Sequence, residues 1–143
     1  MLQYFLIEKK NDIFLIVEEP EAHLYPDSQM LMADMLSLFI NKSKGHNAGL
    51  ITTHSPYILG ELNNLLLAGK VERSNQDRAK AIMDKRAWIE AKHFQALHVH
   101  GGGCENAVSD FGLIKNELID GASGEINARC DDLIALLPED DDA

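Results

Sequence analysis

The apolar positions of the chain fall into blocks of different rhythm. Residues 13–17 are apolar without a break and end at Glu18 and Glu19. A run this short, β-branched at Ile13, Ile16 and Val17, predicts a strand buried on both faces. Pro20 lacks an N–H and cannot continue a central strand, so the strand stops where the charges begin. A second short apolar strand is predicted at residues 50–53, running into His54-Ser55-Pro56. Between the two lies a predicted helix reaching to about residue 44, with Asp27 or Ser28 as its cap and Gly45 as its stop. On that helix Asp34, Ser37 and Asn41 form a narrow polar stripe. Met30, Leu31, Met32, Met35, Leu36, Leu38, Phe39 and Ile40 fill the remaining arc. An arc so wide predicts packing on a sheet and also under another element. Strand, helix and strand in this order suit a crossover between parallel neighbours, which would put Glu18, Glu19 and His54 on one edge of a sheet.

The flanking pattern is less regular. At residues 1–8, Leu2, Phe5 and Leu6 fit a helical face, followed by the polar turn Lys9-Lys10-Asn11-Asp12. Ser55 as N-cap with Pro56 at the first helical position predicts a helix whose face is Leu59, Leu62 and Leu66, closed by Gly69. Residues 70–86 mix both charge signs and read as an exposed loop or solvated helix. Residues 94–100 predict a strand, Gly101-Gly102-Gly103 a turn and residues 107–110 its partner strand. A last helix is predicted over residues 114–137.

Composition narrows the class. The 143 residues suffice for one domain with a core, and the reading divides them into a domain at 1–137 and an acidic, disordered tail at 138–143. The formal net charge is −10, which argues against nonspecific nucleic-acid binding by this chain. No apolar run approaches the ~20 residues of a membrane span, so no membrane partner is expected. The start shows no signal-peptide pattern, and Cys104 and Cys130 read as reduced thiols. Both point to a cytoplasmic protein.

Candidate chemistry centres on Glu18 and Glu19. Two carboxylates ~5 Å apart repel by roughly 3 kcal/mol at an effective dielectric of about 20. Mg²⁺, typically held by one or two carboxylates plus substrate phosphates, would remove that repulsion. Other patterns carry less. Gly101-Gly102-Gly103-Cys104 is not followed by Lys-Ser/Thr, so it is no phosphate loop. His98 and His100 point the same way on their strand with Cys104 nearby, but a fourth zinc ligand is not evident and a helix-interior reading suits Ala122-Ser123-Gly124-Glu125.

The stretch Ile-Val-Glu-Glu-Pro-Glu-Ala-His-Leu-Tyr-Pro at residues 16–26, a helix, and Ile-Thr-Thr-His-Ser-Pro at residues 51–56 together resemble the Walker B, D-loop and switch-histidine region of ABC-type ATPases. The nearest likeness is to the AAA-like branch of overcoming-lysogenisation-defect and RecF-like proteins. The resemblance implies an α/β fold, part of a P-loop NTPase head, with a mainly parallel sheet and flanking helices. It implies that Glu18 holds Mg²⁺, usually through water, and that Glu19 matches the catalytic glutamate that orients or deprotonates the attacking water. His54 matches the switch histidine that senses the γ-phosphate. Glu21, Ala22, His23 and Leu24 fall in the D-loop, which meets the partner subunit in family dimers. The sequence contains no Gly-x-x-x-x-Gly-Lys-Ser/Thr and no correctly placed signature serine. The expectation is therefore the carboxyl-terminal half of an ATP-hydrolysing head, using ATP and Mg²⁺ only with the missing phosphate-binding half; the expected partner is a second copy, as a homodimer, or a complementary amino-terminal half. Relatives handle nucleic acid, but nothing in this chain indicates it. A non-catalytic dimerisation or interaction module derived from such an ATPase is the alternative. A carboxylate-based metal nuclease is disfavoured because no further acid completes a two-metal set.

Overall fold

A computed structural model describes residues 3–9, 12–42, 47–71 and 73–115. Its centre is a three-stranded sheet in the order β1 (Gln3–Lys9), β2 (Asp12–Glu18), β3 (Ala48–Thr52). Strands β2 and β3 are parallel neighbours, with Ile16 opposite Leu50 and Glu18 opposite Thr52. Helix α1 (Pro26–Asn41) makes the crossover between them. This is the predicted strand–helix–strand unit.

The first seven described residues are a correction. They form no helix. Strand β1 pairs antiparallel with β2 along its whole length, from Gln3 opposite Glu18 to Lys9 opposite Asp12. The sheet is thus mixed rather than mainly parallel. Leu2, Phe5 and Leu6 meet a helical spacing over only two turns, whereas the free edge of β2 offers a full row of backbone donors and acceptors to an adjacent strand. Lys10 and Asn11, the middle of the expected polar turn, lie outside the described residues.

One face of the sheet is covered. Leu15 and Val17 pack with Leu36 of α1, and Met32 and Ile51 close the cluster. Gly49 lies under α1, where an added Cβ would come within 2.5 Å of Ile40 Cδ1. The other face is not buried as expected: Phe14 is 38% exposed and Leu50 52%. No described element packs there.

Helix α1 begins at Pro26, with Tyr25 as the capping residue and no side-chain cap, so neither Asp27 nor Ser28 caps it. Proline's fixed φ already suits the first helical position. Two of the three residues of the α1 polar stripe, Asp34 and Ser37, face inward. Ser37 is buried, Asp34 is half-buried, and Asn41 Nδ2 donates to the carbonyls of Arg86 and Trp88 at 2.9 and 3.0 Å. Leu31 and Met35 point outward.

Helix α2 (Pro56–Lys70) packs on α1. Ser55 caps it as predicted, its Oγ accepting from the N–H groups of Tyr57 and Ile58. A second core joins Ala33, Ile58, Leu62, Leu65, Ala87 and Ile114. Met32 touches both cores, which fits the expected use of methionine as filler.

The mixed-charge stretch holds a short helix α3 (Gln76–Ile82) and a 3-10 turn at Lys85–Ala87. Lys80 pairs with Asp77 and Arg86 with Asp84, and the Arg86 hydrogen bonds pull the Asp84 carboxyl down to about 2. Strands β4 (Leu97–His100) and β5 (Gly103–Asn106) form an antiparallel hairpin. The partner strand starts at Gly103, not Ala107. Gly101 and Gly102 both have positive φ, 54° and 80°, so two residues make the turn and Gly103 is already paired. Ile114 is bridged to Val108 and is not the start of a helix; the rest of the helix predicted to 137, and the acidic tail, lie outside the described residues.

Candidate functional site

The carboxyl-terminal ends of β2 and β3 lie side by side. Glu18 is the last residue of β2, exposed, opposite Thr52. The chain then stays attached to β3 for one more bond, Glu19 N–H donating to Thr52 O at 2.8 Å. Glu19 takes a left-handed backbone conformation, φ 46°, uncommon for a residue with a side chain. This turns the chain out of the sheet at the second glutamate. Pro20 and Glu21 are then buried, and a tight turn follows, with Ala22 N–H on Glu19 O and Leu24 N–H on Glu21 O. His23 has φ 66° and is exposed.

The loop after β3 meets that turn. His54 Nδ1 lies 3.7 Å from Glu19 Oε1 and 3.4 Å from Glu21 Oε1. The His54 side chain is 77% exposed and that of Glu19 is 60% exposed, so both can reach a ligand. Glu21 is different, with only 5% of its side chain exposed. Its Oε1 accepts from Thr53 Oγ1 at 2.8 Å and from the His54 backbone N–H at 3.0 Å. Its Oε2 is buried without a hydrogen-bond partner among the described residues. Of the four residues expected at a subunit interface, Glu21 therefore faces inward, while Ala22 and Leu24 are half-buried and His23 is exposed.

Thr53, Ser55 and Gln29 complete the network. Thr53 Oγ1 accepts from Ser55 N–H at 3.0 Å, Ser55 Oγ donates to Gln29 Oε1 at 2.5 Å, and Gln29 Nε2 donates to Leu24 O at 2.8 Å. Both loops are thereby tied to the first turns of α1 and α2. Sequence reading singled out Ser55 only as a helix cap and passed over Gln29. The hydroxyl run Thr52-Thr53 before His54 was the available signal for a hydrogen-bonded loop.

Residues 2–59 match a family model described as the AAA ATPase domain. The match covers less than half of the chain, and takes in β1, β2, α1, β3 and the first turn of α2. No curated protein and no solved structure matches the chain. The AAA-like stretch thus contains every residue of the network above. Glu18 and Glu19 offer exposed oxygen donors at a strand end, the donor type that suits a hard cation such as Mg²⁺. No helix among the described residues is long and apolar enough to cross a membrane.

Proposed function

We propose that this chain supplies the water-activating and phosphate-sensing edge of an ATP-hydrolysing, AAA-like head. The supporting observation is that Glu19 and His54, 35 positions apart for a β–α–β unit to bridge, stand 3.7 Å apart on one edge of the sheet. In this reading Glu18 would hold Mg²⁺, which would supply charge neutralisation at the phosphates. Glu19 accepts a proton from, or orients, the attacking water. Positioning of this kind is most of what phosphoryl transfer asks of a protein. His54 presents its imidazole to the terminal phosphate. Buried Glu21 fixes the backbone of the His54 loop and so acts as a positioning residue. The exposed turn around His23 is the part of the D-loop that would meet a partner subunit.

In this reading a complementary amino-terminal half supplies the phosphate-gripping loop, whose motif these 143 residues do not contain. The test is Mg²⁺-dependent ATP hydrolysis by the purified chain, alone and mixed with an amino-terminal half carrying a phosphate loop. The chain alone should show no turnover. The mixture should turn over ATP, and Glu19→Gln should abolish turnover while leaving ATP binding intact. Turnover that survives Glu19→Gln would overturn the assignment. The second reading, a non-catalytic dimerisation module, draws on the outward apolar residues Leu31 and Met35 of α1. It predicts association without hydrolysis in either arm.

A further inference from the structure

The β4–β5 hairpin carries a second group of titratable side chains, away from the AAA-like stretch in sequence. His98 and His100 are two apart on β4 and share a face. Glu105 sits directly opposite His98 in the register and joins them there. Glu105 Oε1 lies 3.3 Å from His98 Nδ1 and 3.2 Å from His100 Nε2. The two imidazoles are stacked, with ring centres 4.7 Å apart and planes 25° from parallel. One ligand atom from each of the three residues lies within 4.8 Å of the others. Cys104 pairs with Val99 and so belongs to the opposite face, which removes it from the group that the sequence suggested.

We propose that His98, His100 and Glu105 form a binding site for a borderline divalent transition-metal ion such as Zn²⁺. Two imidazoles and a carboxylate are the donor set that Zn²⁺ takes. Ligands at about 2.0–2.1 Å around a tetrahedral ion stand roughly 3.3–3.4 Å apart. The two Glu105 edges, 3.3 and 3.2 Å, are within about 0.2 Å of that length, so binding chiefly needs the two imidazole nitrogens brought to the same ion. All three side chains are partly or well exposed, which leaves a fourth position for water or a ligand from another molecule. The bound ion would cross-link two four-residue strands, a hairpin too short to be stable alone.

The experiment is calorimetric titration of the untagged full chain with Zn²⁺, alongside His98→Gln, His100→Gln, the double variant and Glu105→Gln. One ion should bind, and each histidine substitution should weaken binding by about tenfold or more. Affinity should also fall from pH 7.5 to 5.5 as protons compete for the imidazoles. Co²⁺ in place of Zn²⁺ should give the visible bands of a four-coordinate site in the parent and not in the double variant. These residues are on the surface, so circular dichroism should show the variants folded. An absence of Zn²⁺ binding would overturn the proposal. So would equal binding by the double variant, which would put the ion on other groups such as Glu18, Glu19 and His54.

Discussion

The backbone N–H of His54 donates to the buried carboxylate of Glu21 at 3.0 Å, joining the two loops that leave β2 and β3. Glu21→Ala would strand that N–H and the Thr53 hydroxyl in a place with little water. The expected loss is about 1–3 kcal/mol in urea denaturation. Glu21→Gln keeps one acceptor oxygen and should lose less. Equal losses for the two would mean that Glu21 acts through its charge rather than as an acceptor.

Asp34 of α1 faces Glu61 of α2, and burial first, then the Glu61 carboxyl, raise its pKa. A carboxyl raised on folding makes the folded state hold its proton more tightly. Stability is therefore greatest below the unfolded value and falls as pH rises through the folded one. Asp34→Asn should raise the urea midpoint at pH 7 and change it little at pH 3. The gain should be roughly 0.5–1 kcal/mol, small because Asp34 keeps some contact with solvent. A gain as large at pH 3 would rule out the titration as its cause.

Two glycines of α2 should respond oppositely to alanine. A methyl at Gly69 would overlap the carbonyl of Ile89, which cannot retreat easily because Ile89 N–H is bonded to Leu65 O at 3.2 Å. Gly69→Ala should cost about 1–3 kcal/mol despite alanine's better helix propensity. A Cβ at Gly60 meets nothing within 4 Å. Gly60→Ala should stabilise by about 0.4–1 kcal/mol. Thermal melts of the two variants side by side check both signs.

Asn63 treats Ile114 as a strand would. Its Nδ2 donates to Ile114 O at 3.0 Å and its Oδ1 accepts from Ile114 N–H at 2.7 Å, both buried. Asn63→Ala should cost about 2–3 kcal/mol and raise amide exchange at Ile114. Asn63→Asp keeps the acceptor and loses the donor, so it should protect the Ile114 amide while still destabilising. An unchanged exchange rate in Asn63→Ala would show that the neighbouring bridge to Val108 is enough to hold Ile114.

The parts of the fold legible in the sequence are those with one dominant signal. The unbroken run at residues 13–17, the hydroxyl-rich end of the second strand and the Ser55-Pro56 pair each have a single good backbone solution, and β2, β3 and α2 follow them. Strand β1 was misread because a few apolar residues satisfy both helical and strand spacing until a neighbour is known. The hairpin turn was placed at the right glycines, but the partner strand was set four residues too late, since three consecutive glycines do not say which two make the turn and Gly103 is already paired. The edge bearing Glu18, Glu19 and His54 was readable from where two strands stop. Burial of Glu21 was not, because a glutamate in a polar turn looks solvated until the loop that covers it is folded. The same holds for Glu105, whose alignment with His98 depends on the register of the hairpin.

The left-handed backbone of Glu19 bears on any attempt to engineer this chain. At φ 46° the position favours glycine or asparagine for folding, while a carboxylate there costs on the order of 1 kcal/mol of conformational strain. A screen that rewards heat resistance alone would drift toward glycine at position 19. Under the role proposed for Glu19, a screen that rewards nucleotide turnover would hold the glutamate and tolerate a softer protein. Which residue survives under each regime reports what this turn is kept for, without any ligand in hand.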